Sequence, residues 1–501
     1  MPEDRFYAIR RCGLLEGHSH RKRRLGVSGE MRTKRNVSAE STKRYCLIGA
    51  GACGLAVVKN FAERGIPFDC FEKESDVGGI WNPQSASHVY ETICLNTSRS
   101  LTKYTDFNMP KGVPQFLSKD QAIDYVRSYA RHFALYDLIT FNTCVEKVEK
   151  NGDKWLVTVS GNKRPRVYDG VIVSNGHHWD PRLPDYPGAF TGETLHAIEV
   201  KTRDQLRGKR VLVVGAGNTG CDLAADAAQL SRSVEHSMRR TYYFLPKFIF
   251  GRPLDKWLDR TQRWPVPRRF LRWMYGVAVY FVVGPYDRLG LPKPDHKILK
   301  SFPNSASAYL DHLAHGRVTP RRDIERLDGN KVIFTDGEES EVDLIVYATG
   351  YRLTFPFMDK SYLANEDGSS PLFLKVFHRE MDNLFACGLV QPADGGFWQL
   401  ADYQAQLIAA FLVAQECAPE KAQWFRKTKA TANPATDHGV KYIDSPRHKL
   451  EVQHYRYRTA IKKLLKKFGP VAAMPYPAHA QSGAMEMERA TGGRRQLKAA
   501  E

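Results

Sequence analysis

RYCLIGAGACGLAVVKNFAERGIPFDCFEKESDVGGIW, residues 44–81, is the stretch from which the fold is read. An apolar run at 45–48 meets glycines at 49, 51 and 54, the Gly-x-Gly-x-x-Gly spacing of a strand that turns directly into a helix. Gly49 permits the tight turn, Gly51 lets a pyrophosphate approach the backbone, and Gly54 lets helix and strand pack closely, with the helix N-terminus facing the phosphate charge. Residues 66–71 read as the next strand, and Glu72 stands at its end, where a carboxylate accepts hydrogen bonds from a ribose hydroxyl. Gly78-Gly79-Ile80-Trp81 closes the unit with a turn tight enough to lie beside a bound ring system.

The same fingerprint returns downstream. Residues 209–214 read as a strand, Gly215, Gly217 and Gly220 repeat the glycine spacing, and a helix begins at Cys221. After the following strand, 234–237, the chain carries Arg239-Arg240 in place of an acid. A guanidinium there suits the 2′-phosphate of NADP, which a carboxylate would repel. Two dinucleotide sites of different specificity imply an electron relay, with a tightly bound FAD in one site and NADPH reducing it from the other. A disulfide reductase needs a cysteine pair beside the flavin, and the chain has neither Cys-x-x-Cys nor Cys-x4-Cys. Oxygen is then the plausible acceptor.

Between and beyond these units, helical spacing runs over 118–135, and strands are expected at 139–148, 155–159 and 170–174. Asp328-Gly329 and Asp336-Gly337 flank 332–334 as hairpin signals, 342–347 and 384–389 read as strands, and 399–413 as a long helix. Residues 241–300, rich in Arg, Pro and Trp, show no assignable regular structure.

The formal charge of +19 invites a nucleic-acid reading, but its distribution argues otherwise. Residues 1–44 carry 12 basic and 5 acidic side chains and residues 417–501 carry 17 and 7, so the 45 basic and 43 acidic residues between them nearly cancel. The basic tails read as solvated appendages, with no nucleic-acid partner expected. The nine cysteines are scattered and odd in number, reading as buried small hydrophobes in a reducing compartment. No signal-peptide pattern opens the chain, and the longest apolar run, 274–284, is too short to span a membrane. A soluble cytoplasmic protein is expected, with no metal site. A disordered leader is expected over 1–43. In the C-terminal run 456–468, Ile461, Leu464, Leu465 and Phe468 share one helical face, which should dock on the body or on a second copy in a homodimer rather than on a membrane. The tail beyond Gly469 reads as disordered.

With these motifs together, residues 44–415 resemble the flavin-containing monooxygenases. The carrying segments are GAGACG at 49–54, FEK at 71–73, GGIW at 78–81, LNTSRSL at 95–101, FTGETLH at 190–196, GAGNTG at 215–220, SMRR at 237–240 and ATGY at 348–351. The resemblance implies an α/β fold of two Rossmann-like dinucleotide-binding domains, the NADPH domain inserted into a discontinuous FAD domain. The segments expected are 44–176 and 311–415 for FAD and 177–310 for the linker and NADPH, followed by a basic, partly helical extension at 416–501. It also implies a C4a-hydroperoxyflavin, protected by retained NADP, that passes one oxygen atom from O2 to a nitrogen or sulfur of a small molecule. By the family pattern FAD is held by Gly49, Gly51, Gly54, Glu72, Gly79, Ile80, Trp81, Leu95, Asn96, Thr97 and Val145. NADPH is held by Gly215, Gly217, Thr219, Gly220, Cys221, Asp222, Arg239 and Arg240, and Thr349 and Gly350 are further cofactor-binding residues. Asn96 is the expected hydrogen-bond donor at the flavin edge and His196 a linker residue that positions the domains. One position departs from the pattern: four residues after His196, where amine- and sulfur-oxidising members carry an aromatic and Baeyer-Villiger members Trp, this chain has Val200. Baeyer-Villiger oxygenation of a ketone, oxidative decarboxylation of a 2-oxo acid, and a nucleotide-sensing flavoprotein without turnover are the competing readings.

Overall fold

A computed structural model describes residues 43–298, 300–301, 303–432 and 448–477. The expected leader lies outside the described residues save for Lys43, as does everything after 477.

The 45–48 run is the middle strand, Tyr45–Ile48, of a five-stranded parallel sheet. The sheet order is Leu384–Ala386, Gly170–Val173, Tyr45–Ile48, Phe68–Phe71, Ile139–Thr140. All four residues of the middle strand are buried, as expected of a parallel strand covered on both faces. Alternate side chains divide between two layers. Tyr45 and Leu47 pack with the helices Ala52–Arg64 and Phe397–Cys417. Cys46 and Ile48 pack with an antiparallel sheet formed by Val145–Asn151, Lys154–Val159 and Asn162–Tyr168.

A second parallel sheet repeats the plan: Thr319–Arg321, Ser233–Ser237, Arg210–Val214, Leu344–Tyr347, Glu193–His196. Val211 and Val213 face the helix Asn218–Leu230, while Leu212 and Val214 face a four-stranded sheet that includes Gly188–Phe190 and the predicted hairpin Ile324–Gly329/Lys331–Phe334. All strands of this second body fall between Gly170–Val173 and Leu384–Ala386 of the first, so the fold is α/β with one dinucleotide-binding domain inserted into the other, and the insertion runs past the expected 310 because Thr319–Arg321 and Leu344–Tyr347 complete its parallel sheet.

The structure corrects several expectations. The segment 241–300, unassigned from sequence, holds helices Leu254–Thr261 and Arg268–Val283 around a small core of Leu258, Leu271, Tyr275 and Val279. Arg268–Val283 also exposes Phe270, Trp273, Tyr280 and Phe281 on its other side, while Leu271, Tyr275 and Val279 keep helical spacing on the buried side. No helix among the described residues is long and apolar enough to cross a membrane. Cys94, Cys144 and Cys417 are exposed, against the expectation of uniformly buried cysteines, because each lies outside the sheets and packed helix faces. The expected strand over 139–148 is two strands in different sheets, separated at Asn142, whose φ of 51° breaks the extension. The helix His454–Phe468 docks on the body through Tyr457, Ile461 and Phe468. The chain beyond Gly469 is ordered as far as described: Tyr476 is buried, and its N–H donates to the Arg64 carbonyl at 2.7 Å.

Candidate active site

Both glycine turns sit at the carboxyl edge of their sheet. At the first, Gly49 has φ 96°, and a Cβ there would lie 2.7 Å from the Ser174 carbonyl oxygen. A Cβ on Gly54 would lie 1.9 Å from the Gly49 oxygen, so the helix start is pressed onto the strand end and admits no side chain. Gly51 is the N-cap of Ala52–Arg64 and offers no side chain to its first-turn N–H groups, which leaves them for an anion. Gly79, with φ 57°, brings its backbone against Gly51: a Cβ would be 3.3 Å from the Gly51 Cα. This cradle of bare backbone at a helix N-terminus fits the diphosphate of FAD.

Glu72 is buried, and its carboxylate accepts the Ala50 N–H at 2.6 Å and the Glu74 N–H at 3.0 Å. Burial raises its pKa, and these two bonds oppose the shift. Its first task is therefore to brace the glycine turn. The remaining oxygen lone pairs can still accept from a ribose hydroxyl. Ile80 and Trp81 are half-buried in the Gly79–Trp81 turn, where Trp81 meets Trp398 edge-on at 6.2 Å. Val145 is buried in the cluster that holds Phe71.

The Asn96 turn is fixed on both sides. Leu95 N–H donates to the Leu117 carbonyl at 2.8 Å, Thr97 and Thr102 hydroxyls bond at 2.8 Å, and Ser98 N–H donates to Asp255. Among the described residues nothing bonds the Asn96 amide, which lines a cleft with Phe116, Leu245, Leu254 and Ser305. Gly396 caps the 21-residue helix Phe397–Cys417, and a Cβ there would lie 2.2 Å from the Leu101 oxygen. The helix N-terminus is thus held against the Asn96 turn, while its second residue, Trp398, reaches the Gly79–Trp81 turn.

In the second sheet Gly215 has φ 119°, and a Cβ on Gly220 would lie 1.9 Å from the Gly215 oxygen. Gly217 is open on its Cα side, and Thr219 is half-buried. The register aligns Val214 with Tyr347 and Tyr347 with His196, so the second glycine turn, Thr349-Gly350 and His196 emerge from adjacent strand ends. Cys221 is buried in the core, and the Asp222 carboxylate accepts from the Tyr90 hydroxyl at 3.0 Å. Burial raises the Asp222 pKa to about 6.

The arginine pair is not equivalent. Arg240 donates to Asp295 at 2.7 Å, whereas exposed Arg239 has no hydrogen-bond or ion-pair partner among the described residues. Burial, and secondly the charge of Arg239, lower the pKa of Arg182, whose guanidinium donates to the Thr349 carbonyl at 2.8 Å. The cation that accompanies Arg239 is thus Arg182, from the linker, where sequence spacing gave no signal.

His196 is buried with both ring nitrogens engaged. Nδ1 accepts the Ile198 N–H at 3.2 Å, which leaves Nε2–H to donate to the Gly350 carbonyl at 3.1 Å. Burial lowers its pKa, so the ring is neutral and ties the linker to the Thr349-Gly350 turn. Val200 is buried in the core beneath this sheet.

Two parallel sheets, each with a phosphate-sized glycine cradle at its carboxyl edge and one inserted into the other, define a two-dinucleotide oxidoreductase. A sequence model described as flavin-binding monooxygenase-like matches residues 42–467, and the chain belongs to that family. It is 30% identical to flavin-containing monooxygenase 5 of Oryctolagus cuniculus over 437 residues, 82% of this chain and 80% of that one. It is 31% identical to dimethylaniline monooxygenase (N-oxide-forming) 2 of Rattus norvegicus over 397 residues, 73% and 72% of the two chains. Among solved structures, S-allyl-L-cysteine S-oxygenase from Allium sativum superposes with a TM-score of 0.58 at 20% identity, over 86% and 89% of the chains, a likeness of fold. The chain is a flavoprotein monooxygenase with FAD and NADPH as its cofactors.

Proposed function

We propose that this enzyme transfers one oxygen atom from O2 to a nitrogen or sulfur of a small molecule. The observation that carries the reading is the Asn96 amide, unbonded among the described residues, which lines a cleft of apolar side chains (Phe116, Leu245, Leu254) and charged ones (Lys247, Asp255) beside the N-terminus of Phe397–Cys417. The names of an N-oxide-forming relative and an S-oxygenase of the same fold support it. FAD reduced by NADPH supplies the two electrons with which O2 is activated. The chain's own residues do the rest. The bare glycine turns bind the two diphosphates, Arg239 with Arg182 receives the 2′-phosphate, and neutral His196 holds the linker in register. Phe116, Leu245 and Leu254 exclude water, and Asn96 donates a hydrogen bond to the oxygen being delivered.

Incubation with NADPH and O2 in the presence of a tertiary amine, a thioether and a cyclic ketone, followed by product analysis, tests this reading. An N-oxide or S-oxide is expected. A lactone from the ketone as the main product would overturn it in favour of Baeyer-Villiger chemistry, and NADPH consumption indifferent to every substrate would favour nucleotide sensing.

A further inference from the structure

The first sheet changes direction between Tyr45–Ile48 and Gly170–Val173. From the former the chain crosses to Phe68–Phe71 and on to Ile139–Thr140, while Leu384–Ala386 lies on the far side of the latter. In an open parallel sheet, the crevice outside the carboxyl ends of two such strands is where a ligand lies. One lip of this crevice is the 49–54 glycine turn. The other is 174–177, Ser-Asn-Gly-His, which carries no recognised motif.

That second lip holds buried polar atoms without partners among the described residues: the Ser174 hydroxyl oxygen, the Asn175 side-chain oxygen and one ring nitrogen of His177, whose other nitrogen is directed to the Gly388 backbone. Asn175 is held by its amide nitrogen, which donates to the Thr354 carbonyl at 3.2 Å, so its oxygen is the end left over. Buried side-chain atoms normally find partners, and unpartnered atoms on three of four successive residues mark a surface shaped for something else. The lip touches the fingerprint directly: a Cβ on Gly54 would lie 3.5 Å from the Ser174 Cβ. The His177 ring stands 4.2 Å from that of His178 and 6.3 Å from that of Phe397, at the start of the helix that approaches Asn96. Burial keeps His177 neutral, and with its N–H given to the Gly388 backbone the remaining ring nitrogen is an acceptor.

We propose that His177, with Ser174, is a FAD-binding residue, its neutral imidazole hydrogen-bonding the flavin nucleotide across the crevice from the glycine turn. The proposal rests on the reading of the 49–54 turn as the FAD site. A hydroxyl-bearing ligand such as the ribityl chain can donate to that acceptor, whereas a bare phosphate has no proton to offer it.

The test is equilibrium FAD binding to the full chain, followed by flavin fluorescence, for the wild type, His177→Leu, His177→Gln and Ser174→Ala, with NADP binding measured alongside. His177→Leu should weaken FAD binding about tenfold or more, since a buried group on the ligand loses its partner. His177→Gln, which keeps a donor and an acceptor, should recover much of the loss, and Ser174→Ala, the mildest change to the fold, should weaken FAD several-fold. NADP affinity should stay level throughout. FAD affinity unchanged in both His177→Gln and Ser174→Ala, with His177→Leu either equal to the wild type or unfolded, overturns the proposal. So does loss of NADP affinity with FAD retained, which would place the ring in the second site. A wild type that takes up no FAD would instead overturn the site reading beneath it.

Discussion

Arg239→Ala should remove most of the preference for NADPH over NADH, while Arg240→Ala should leave it nearly intact. The two guanidiniums are neighbours in sequence, but Arg240 is tied to Asp295, which is itself bonded to His296. Arg239 has no partner among the described residues and is close enough to Arg182 for their charges to repel. A 2′-phosphate placed there would relieve that repulsion and gain charge-assisted hydrogen bonds of about 1.5–3 kcal/mol each, or roughly one to two decades of affinity. Arg239 is exposed, so the lower end applies, and the loss should shrink further at high ionic strength. Steady-state kcat/KM for NADPH and NADH gives the preference as a ratio. A fall of about tenfold in that ratio is expected for Arg239→Ala and less than about threefold for Arg240→Ala. Equal losses for both nucleotides, or a larger effect at Arg240, would refute the assignment.

Asn96→Ala should keep hydride transfer from NADPH near normal while raising hydrogen peroxide release at the expense of product. The lost hydrogen bond is worth on the order of 1–3 kcal/mol, and a variant that stays fully coupled would show Asn96 to be a turn residue. Gly54→Ala should yield protein with little bound FAD, read from the flavin absorbance of the purified chain, because its Cβ would sit 1.9 Å from the Gly49 oxygen and push helix from strand. Asp222 adds a pH term to stability. With its folded pKa raised from 3.8 to about 6, the group favours the folded state when protonated, so its contribution is full below pH 4 and is lost as pH rises through 6. The difference is roughly 3 kcal/mol. Asp222→Asn, which keeps an acceptor for Tyr90, should therefore raise the Tm of the apoprotein at pH 7 more than at pH 4, and parallel Tm profiles would show that the group is not buried as described.

The glycine turns could be read in advance because their geometry is enforced by single atoms: no residue with a Cβ fits at 54 or 220, whatever surrounds them. Their parallel strands were legible too, as short apolar runs covered on both faces. What escaped depends on partners distant in sequence. Nothing near Arg239 or Arg240 reveals that Asp295 occupies one of them, or that Arg182 joins the other from the linker. Glu72 stood at the expected place, but its engagement with Ala50 and Glu74 follows from how the turn closes over it. Arg268–Val283 was legible in part, since Leu271, Tyr275 and Val279 keep a helical spacing that the prolines and arginines around it obscure in the segment as a whole. The order beyond Gly469 hangs on Arg64, whose guanidinium donates to the Ala472 carbonyl at 2.9 Å from the end of the first fingerprint helix.

The nesting of one sheet within the other sets an order of events on the ribosome. Every strand of the inserted sheet lies between Glu193 and Tyr347, so that body can close as soon as those residues emerge. The outer body begins first and finishes last, because the Ala52–Arg64 helix must wait for Phe397–Cys417 to cover it and for Tyr476 to reach the Arg64 carbonyl. At bacterial or eukaryotic elongation rates that interval is on the order of tens of seconds. Through it, Leu55, Val58 and Phe61 have only the early half of their cluster, such as Tyr45 and Phe68 beside Phe61, which makes the nascent outer half the segment most in need of a holdase and the place where slowed translation would most increase aggregation.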